Sequence, residues 1–125
     1  MLKTVLLIGA GGFIGSVARY FVSRLNLSVD FLSIPVCTLL VNVLGSFLLG
    51  FLTAIAAKSM LLNANWRMFL MVGLCGGFTT FSTFTGENLV LMQNGQFFSV
   101  LLYTALSIFL GFTAVYLGFI TSNLL

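Results

Sequence analysis

The chain has no histidine, two acidic and five basic side chains in 125 residues, and no charged residue after Glu87. Each shortage removes a class of function. Without histidine, and with Asp30 and Glu87 far apart, the groups for proton transfer or a transition-metal site are missing, so no enzymatic activity is expected. Lys3, Arg19, Arg24, Lys58 and Arg67 form no basic patch, which argues against a nucleic-acid partner. Cys37 and Cys75 lie inside apolar runs, where a thiol reads as a reduced, small packing residue. Charged residues make up 6% of the chain against 60% hydrophobic, and the mean hydropathy is +1.20. The surface of a water-soluble fold of this size needs more charge, so a multi-pass protein of the cell membrane, with lipid around it, is expected.

What the chain has instead is apolar length. A helix crosses about 30 Å of hydrocarbon with about 20 apolar residues, and windows near 4–24, 34–57, 67–93 and 97–122 qualify. The expected architecture is all-α, one domain over 1–125 with four transmembrane helices. Polar residues from Asn26 to Ser33 precede Pro35, which is expected to open the second helix. Lys58 to Asn65 is a polar connection, Asn94-Gly95 is a turn pair, and Trp66 beside Arg67 marks the interfacial start of the third span. The first apolar run is long, ends in Arg19 and Arg24 and lacks a small-residue cleavage site, so it reads as a retained span and not a signal peptide.

With both termini on one side, that side holds Lys3, Lys58 and Arg67, and the other holds Arg24 and a snorkelling Arg19. Three against two sets almost no orientation. A homodimer of oppositely inserted copies is therefore expected, with a path between subunits easier to build than one inside four closely packed helices.

The N-terminal stretch TVLLIGAGGFIG places Gly9, Gly12 and Gly15 in the spacing of the nucleotide fingerprint of short-chain dehydrogenases and sugar epimerases, with Asp30 further on. Context defeats that reading. Such a domain alternates strands with amphipathic helices, whereas everything after Pro35 is membrane-length, and Tyr103 is followed by Ser107 where a Tyr-x-x-x-Lys motif needs lysine. In a membrane helix, Gly11 and Gly15 form a G-x-x-x-G face for close packing.

The polar residues inside the spans are patterned. Thr38, Asn42 and Ser46 recur every four residues and share a stripe of the second helix, which must face protein or a water-filled path. Two roles are open to Asn42: an interhelical bond, or a donor on an ion path. The stretch GGFTTFSTFTGEN, residues 76–88, combines two glycines with β-branched threonines and is a poor continuous helix, so the third span is expected to break near its middle. The carbonyls freed there, with no carboxylate beside them, suit a monovalent hard cation such as Na⁺. Phe81 and Phe84 share a face, either as core packing or as ring edges that meet an anion. Neutral donors complement such edges: Asn42, Thr80, Ser82 and Thr83, with Tyr103 and Ser107 on the fourth helix. Glu87 lies about 29 Å along the axis from Met68, so it is expected near the far interface, bordering an entrance, with helix packing or capping as its role.

These motifs resemble the CrcB/Fluc family of fluoride channels over nearly the whole chain. The likeness is carried by Gly12-x-x-Gly15-x-x-x-Arg19-Tyr20, by Thr38-Leu-x-Val-Asn42-x-x-Gly45, and by Gly73-x-Cys75-Gly76-Gly77-x-Thr79-Thr80-Phe81-Ser82-Thr83-Phe84. The resemblance implies an antiparallel dual-topology homodimer that exports cytoplasmic fluoride passively through two pathways, with a central Na⁺ at the interface. It further implies that the Gly76 and Thr79 carbonyls hold that ion. Phe81 and Phe84 would be the ring pair of the path, Asn42 its helix-two donor, and Tyr103 and Ser107 its fourth-helix polar groups. Arg19 is placed near a vestibule, with a snorkelling anchor as its other reading. Gly111 stands where the family often carries a further serine, which bears on the polar lining at that end. Two other classes compete. A small multidrug antiporter needs a membrane-embedded Glu in the first helix, which has no acid here, and an accessory packing subunit does not need Asn42 or a broken helix.

Overall fold

A computed structural model describes residues 1–25, 28–29, 32–58 and 62–124. Asn26 and Asp30 of the first connection, and residues 59–61 of the second, lie outside the described residues. Among the described residues, four helices are long and apolar enough to cross a membrane: Leu2–Ser23, Val36–Lys58, Ala64–Gln93 and Phe97–Ser122. This is a multi-pass integral membrane protein. The helical segments are α1 (Leu2–Ser23), α2 (Val36–Lys58), α3 (Ala64–Arg67), α4 (Gly76–Phe78), α5 (Phe81–Gln93) and α6 (Phe97–Asn123). The wide π-helical run Met68–Cys75 joins α3 to α4, and together with α5 these form the third span.

The connections follow from local chemistry. The Asn63 side chain accepts from the Trp66 N–H at 3.0 Å and caps α3. Gly95, at φ 72°, ends α5: its N–H reaches the Met92 carbonyl and the Gln96 N–H the Leu91 carbonyl, a Schellman arrangement that needs the left-handed residue. Before α2, Ile34–Pro35 (β2) pairs antiparallel with Ser28–Val29 (β1), so Pro35 ends a two-residue strand and α2 opens at Val36.

Two helix pairs carry the packing, and both approach closely because glycine leaves out the Cβ. A Cβ at Gly11 would overlap the Phe69 carbonyl, one at Gly15 the Leu74 carbonyl, and one at Gly77 would come within 2.5 Å of the Gly12 carbonyl oxygen. These contacts advance in the same direction along both segments, so α1 lies parallel to the first half of the third span. Likewise Gly111 faces Ser46, Gly50 meets Val115 and Gly118 reaches Phe51 as well as Phe47, an advance along both helices that sets α2 parallel to α6. The G-x-x-x-G reading of Gly11 and Gly15 agrees with this, and both are buried. A Cβ at Gly9, part of the nucleotide-like spacing, would meet no other segment within 4 Å among the described residues.

Gly76 and Gly77 are helical and belong to α4; the extended dihedrals come two residues later, at Thr79 (ψ 156°) and Thr80 (φ −153°, ψ 117°). The apolar clusters flank this point. One gathers Ile34, Leu91 and Tyr103 with Phe84 against it, the other Leu52, Leu62 and Cys75. Cys37 and Cys75 are both buried, and neither is part of a disulfide among the described residues.

Candidate functional site

Thr80 is the hinge of the site, because its groups are shared between two helices. Its N–H, which a continuous helix would give to the Gly76 carbonyl, donates instead to Asn42 Oδ1 at 2.8 Å. Its carbonyl accepts from Asn42 Nδ2 at 3.1 Å. The α2 amide therefore clasps both backbone groups of one residue, and a buried backbone pair that left the helical ladder is satisfied. The Thr80 hydroxyl completes the junction: it accepts from the Thr83 N–H at 3.2 Å as the N-cap of α5 and donates to Thr83 Oγ1 at 3.0 Å, with Ser82 Oγ at 3.3 Å. On the other side, the Thr79 N–H and hydroxyl both donate to the Cys75 carbonyl at 2.9 Å.

Clefts open on both sides of this clasp, and Thr80 lines each. One, of about 350 Å³, is bordered by Ser16, Arg19, Tyr20, Cys37, Thr38 and Thr83, so it brings together Arg19, Thr38, Thr80 and Thr83. The other, of about 310 Å³, is bordered by Asn42, Ser46, Cys75, Gly76, Thr79 and Phe81. Arg19 is thus the cation of a polar cleft at the junction. Ser82 is exposed beside Phe81.

The aromatic residues form a chain from the surface inward. Phe81 is 77% exposed; its ring centroid is 5.8 Å from that of Phe84, which in turn meets Tyr103 edge-on at 5.1 Å. Tyr103 is fully buried, and its hydroxyl donates to Glu87 Oε2 at 2.8 Å. Thr38 donates to the other carboxylate oxygen at 2.6 Å. Glu87 therefore joins α2, α5 and α6 at the end of the span where α2 begins. Its two partners had no signal in sequence beyond the general rule that an acid inside an apolar span is paired.

Ser107 is placed one turn beyond Tyr103, with a buried hydroxyl that has no partner among the described residues, so it remains apart from the hydrogen-bonded cluster. A second buried atom without a partner among the described residues is Oδ1 of Asn88, a residue the sequence did not single out; its amide nitrogen donates to the Phe84 carbonyl at 3.1 Å. A Cβ at Gly111 would meet only Ser46 Oγ, at 3.9 Å, so a hydroxyl from α2 stands where the fourth helix has none.

Residues 6–119 match the model of the family described as CrcB-like protein, Camphor Resistance (CrcB). The chain belongs to this CrcB-like family. Among its relatives, a protein of Azobacteroides pseudotrichonymphae called "Fluoride-specific ion channel FluC" is 44% identical over 123 residues, covering 98% of both chains. Proteins of the same name from Chlorobium luteolum, 46% identical over 96% of this chain and 92% of theirs, and Chlorobaculum tepidum, 44% identical over 99% and 98%, are similarly close. The CrcB-like match spans the Asn42–Thr80 clasp, the ring chain and the Glu87 cluster together.

Proposed function

We propose that this protein is a fluoride-selective channel, not an enzyme, and that it passively exports cytoplasmic F⁻ and so lowers its toxicity. The names of its relatives support fluoride as the ion. The observation that carries the reading for this chain is the junction at Thr79–Thr80, which we read as a break of the third helix inside the membrane. A broken helix presents two opposite dipole ends at one place: the amide end of α5 favours an anion, and the carbonyl end of α4 favours a cation. Neutral donors surround the first end, in Asn42, Thr80, Ser82 and Thr83, and the rings of Phe81 and Phe84 can offer their positive edges beside it. Such a lining suits a small anion that bonds strongly to hydrogen-bond donors.

Thr38, Tyr103 and Ser107 extend the polar surface along α2 and α6, and Arg19 raises the local concentration of anions at the vestibule. Phe81 lies open on the protomer surface, which fits a path completed by a second copy. We read that copy as an antiparallel partner, because the charges give little orientation and an isologous pair brings equivalent junctions together.

The donor set also fits Na⁺. Gly76 is exposed, with nothing within 4 Å of its Cβ position, and its carbonyl has given up the Thr80 N–H. In this reading Gly76 and Thr79 would hold the ion by their carbonyls, and the ion would supply a fixed positive charge that joins the two protomers. Passive flow suits the physiology: neutral HF enters, dissociates in the more alkaline cytoplasm, and the trapped F⁻ leaves down its gradient.

The test is fluoride efflux from liposomes containing the purified protein, followed with a fluoride electrode beside a chloride control, for wild type and Phe81→Leu. Fast fluoride-selective efflux, lost in the variant while assembly is retained, is expected. Absence of efflux from well-folded wild-type protein would overturn the reading.

A further inference from the structure

The parallel helices α2 and α6 carry their polar residues in register. Thr38 and Tyr103 donate to the two oxygens of one Glu87 carboxylate, Ser46 Oγ lies 3.9 Å from the place of a Cβ on Gly111, and a Cβ on Gly50 would overlap the Val115 carbonyl. The two members of each pair are the same number of residues apart, so one register holds over about three turns. It sets Ser107, whose buried hydroxyl has no partner among the described residues, level with Asn42. One turn further on Ser46 faces a glycine, and of these two helices only α2 supplies a hydroxyl there. Another turn on, the seam between the helices closes at the backbone contact of Gly50 with Val115.

The Ser46 hydroxyl is uncommitted. On the same two helices Thr53, Thr113 and Thr121 donate to the carbonyls four residues back, those of Leu49, Phe109 and Leu117, at 2.7–2.8 Å, which is how a hydroxyl is ordinarily satisfied inside an apolar span. Ser46 makes no such bond and has no other partner among the described residues. It stands in the wall of the cleft of about 310 Å³ that holds Asn42 and Phe81, on the same stripe as Asn42, with Leu49 and Met71 as apolar surface beside it.

We propose that Ser46 is an ion-contacting residue of this protein: its hydroxyl donates to the anion where the seam between α2 and α6 closes and the ion turns into the cleft past Asn42 and Phe81. Gly111 complements this role, because a residue without a side chain leaves the hydroxyl uncovered. The assignment rests on the fluoride-channel reading and gives α2 a donor beyond Asn42.

The test is fluoride efflux from liposomes for wild type, Ser46→Ala, Ser46→Cys and the double variant Ser46→Ala/Gly111→Ser, with unfolding in bicelles followed for each. Ser46→Ala should unfold like wild type, since it breaks no bond within the protomer, yet the loss of a hydrogen bond to a charged group should slow efflux at least about tenfold. If Ser46→Ala folds poorly, Ser46→Cys, close in size but only a weak donor, takes its place and should show the same loss. Gly111→Ser in the alanine background should recover most of the loss, because it returns a hydroxyl to the same space from the facing helix. A packing role for Ser46 predicts no such rescue. Wild-type efflux from Ser46→Ala would overturn the assignment while leaving the channel reading in place, and so would a loss that Gly111→Ser does not restore. No fluoride efflux from folded wild-type protein would overturn the channel reading and this assignment with it.

Discussion

Replacing Asn42 by alanine removes both hydrogen bonds that hold Thr80 out of the helix, at 2.8 and 3.1 Å. Two physical limits bracket the cost. Interhelical hydrogen bonds in membrane proteins contribute about 0.6 kcal/mol on average and up to about 1.7 kcal/mol each, which gives about 1–3 kcal/mol for the pair. Leaving buried groups unpaired costs about 1–3 kcal/mol each, which sets a higher ceiling. The lower range should hold, because the Thr80 N–H has another acceptor within reach of a small backbone shift, the Gly76 carbonyl it would bond in a regular helix. The expected loss is therefore about 1–3 kcal/mol of unfolding free energy in lipid bicelles, together with a third span that is more helical at residues 79–80. Asn42→Asp should be worse than alanine, since it keeps the acceptor for the N–H but sets a carboxylate oxygen against the Thr80 carbonyl. If Asn42→Ala were as stable as wild type within about 0.5 kcal/mol and amide exchange at Thr80 were unchanged, the clasp would not be what shapes the junction.

Two further outcomes follow from the geometry. Gly15→Ala and Gly77→Ala, which drive a Cβ into the backbone of a facing segment, should each cost about 1–3 kcal/mol and reduce folded yield, while Gly9→Ala and Gly86→Ala, with open space around them, should be neutral or stabilise by up to about 1 kcal/mol; unfolding in bicelles checks both. Tyr103→Phe and Thr38→Val should each destabilise by about 1–2 kcal/mol, and the double-mutant cycle should show a coupling near or above 0.5 kcal/mol because both hydroxyls serve the same Glu87 carboxylate; strict additivity would show that they act separately.

The four spans were legible because apolar length alone specifies a membrane crossing, whatever its neighbours are. The helix contacts were only half legible. Gly11 and Gly15 announced a close approach, but the facing segment includes Gly73 and Gly77, and no local pattern says that residues some sixty positions away complete the fit. The junction in the third span shows the same limit. Glycine lowers helix stability by about 1 kcal/mol, an amount that packing against α1 readily offsets, so Gly76 and Gly77 stay helical. The extended residues come where competing hydrogen-bond partners exist: the Thr80 hydroxyl for the Thr83 N–H, and Asn42 for the Thr80 backbone. Glu87 was visible as a lone acid in an apolar run, but its partners are separated from it by 49 and 16 residues, and only the fold brings them together.

The two roles open to Asn42 in sequence, interhelical bond and ion-path donor, are compatible once its valences are counted. A side-chain amide has two N–H donors and a carbonyl that accepts. The clasp on Thr80 uses one donor and the acceptor, so one N–H is left over, and Asn42 also lines the cleft that holds Phe81, Gly76 and Thr79. A residue that spent its whole hydrogen-bonding capacity on the backbone could only be structural. One that spent none would be free to change rotamer and would hold no fixed geometry towards an anion. The intermediate case ties the orientation of the remaining N–H to the junction itself, so the group that shapes the junction also presents a donor at a set place beside it.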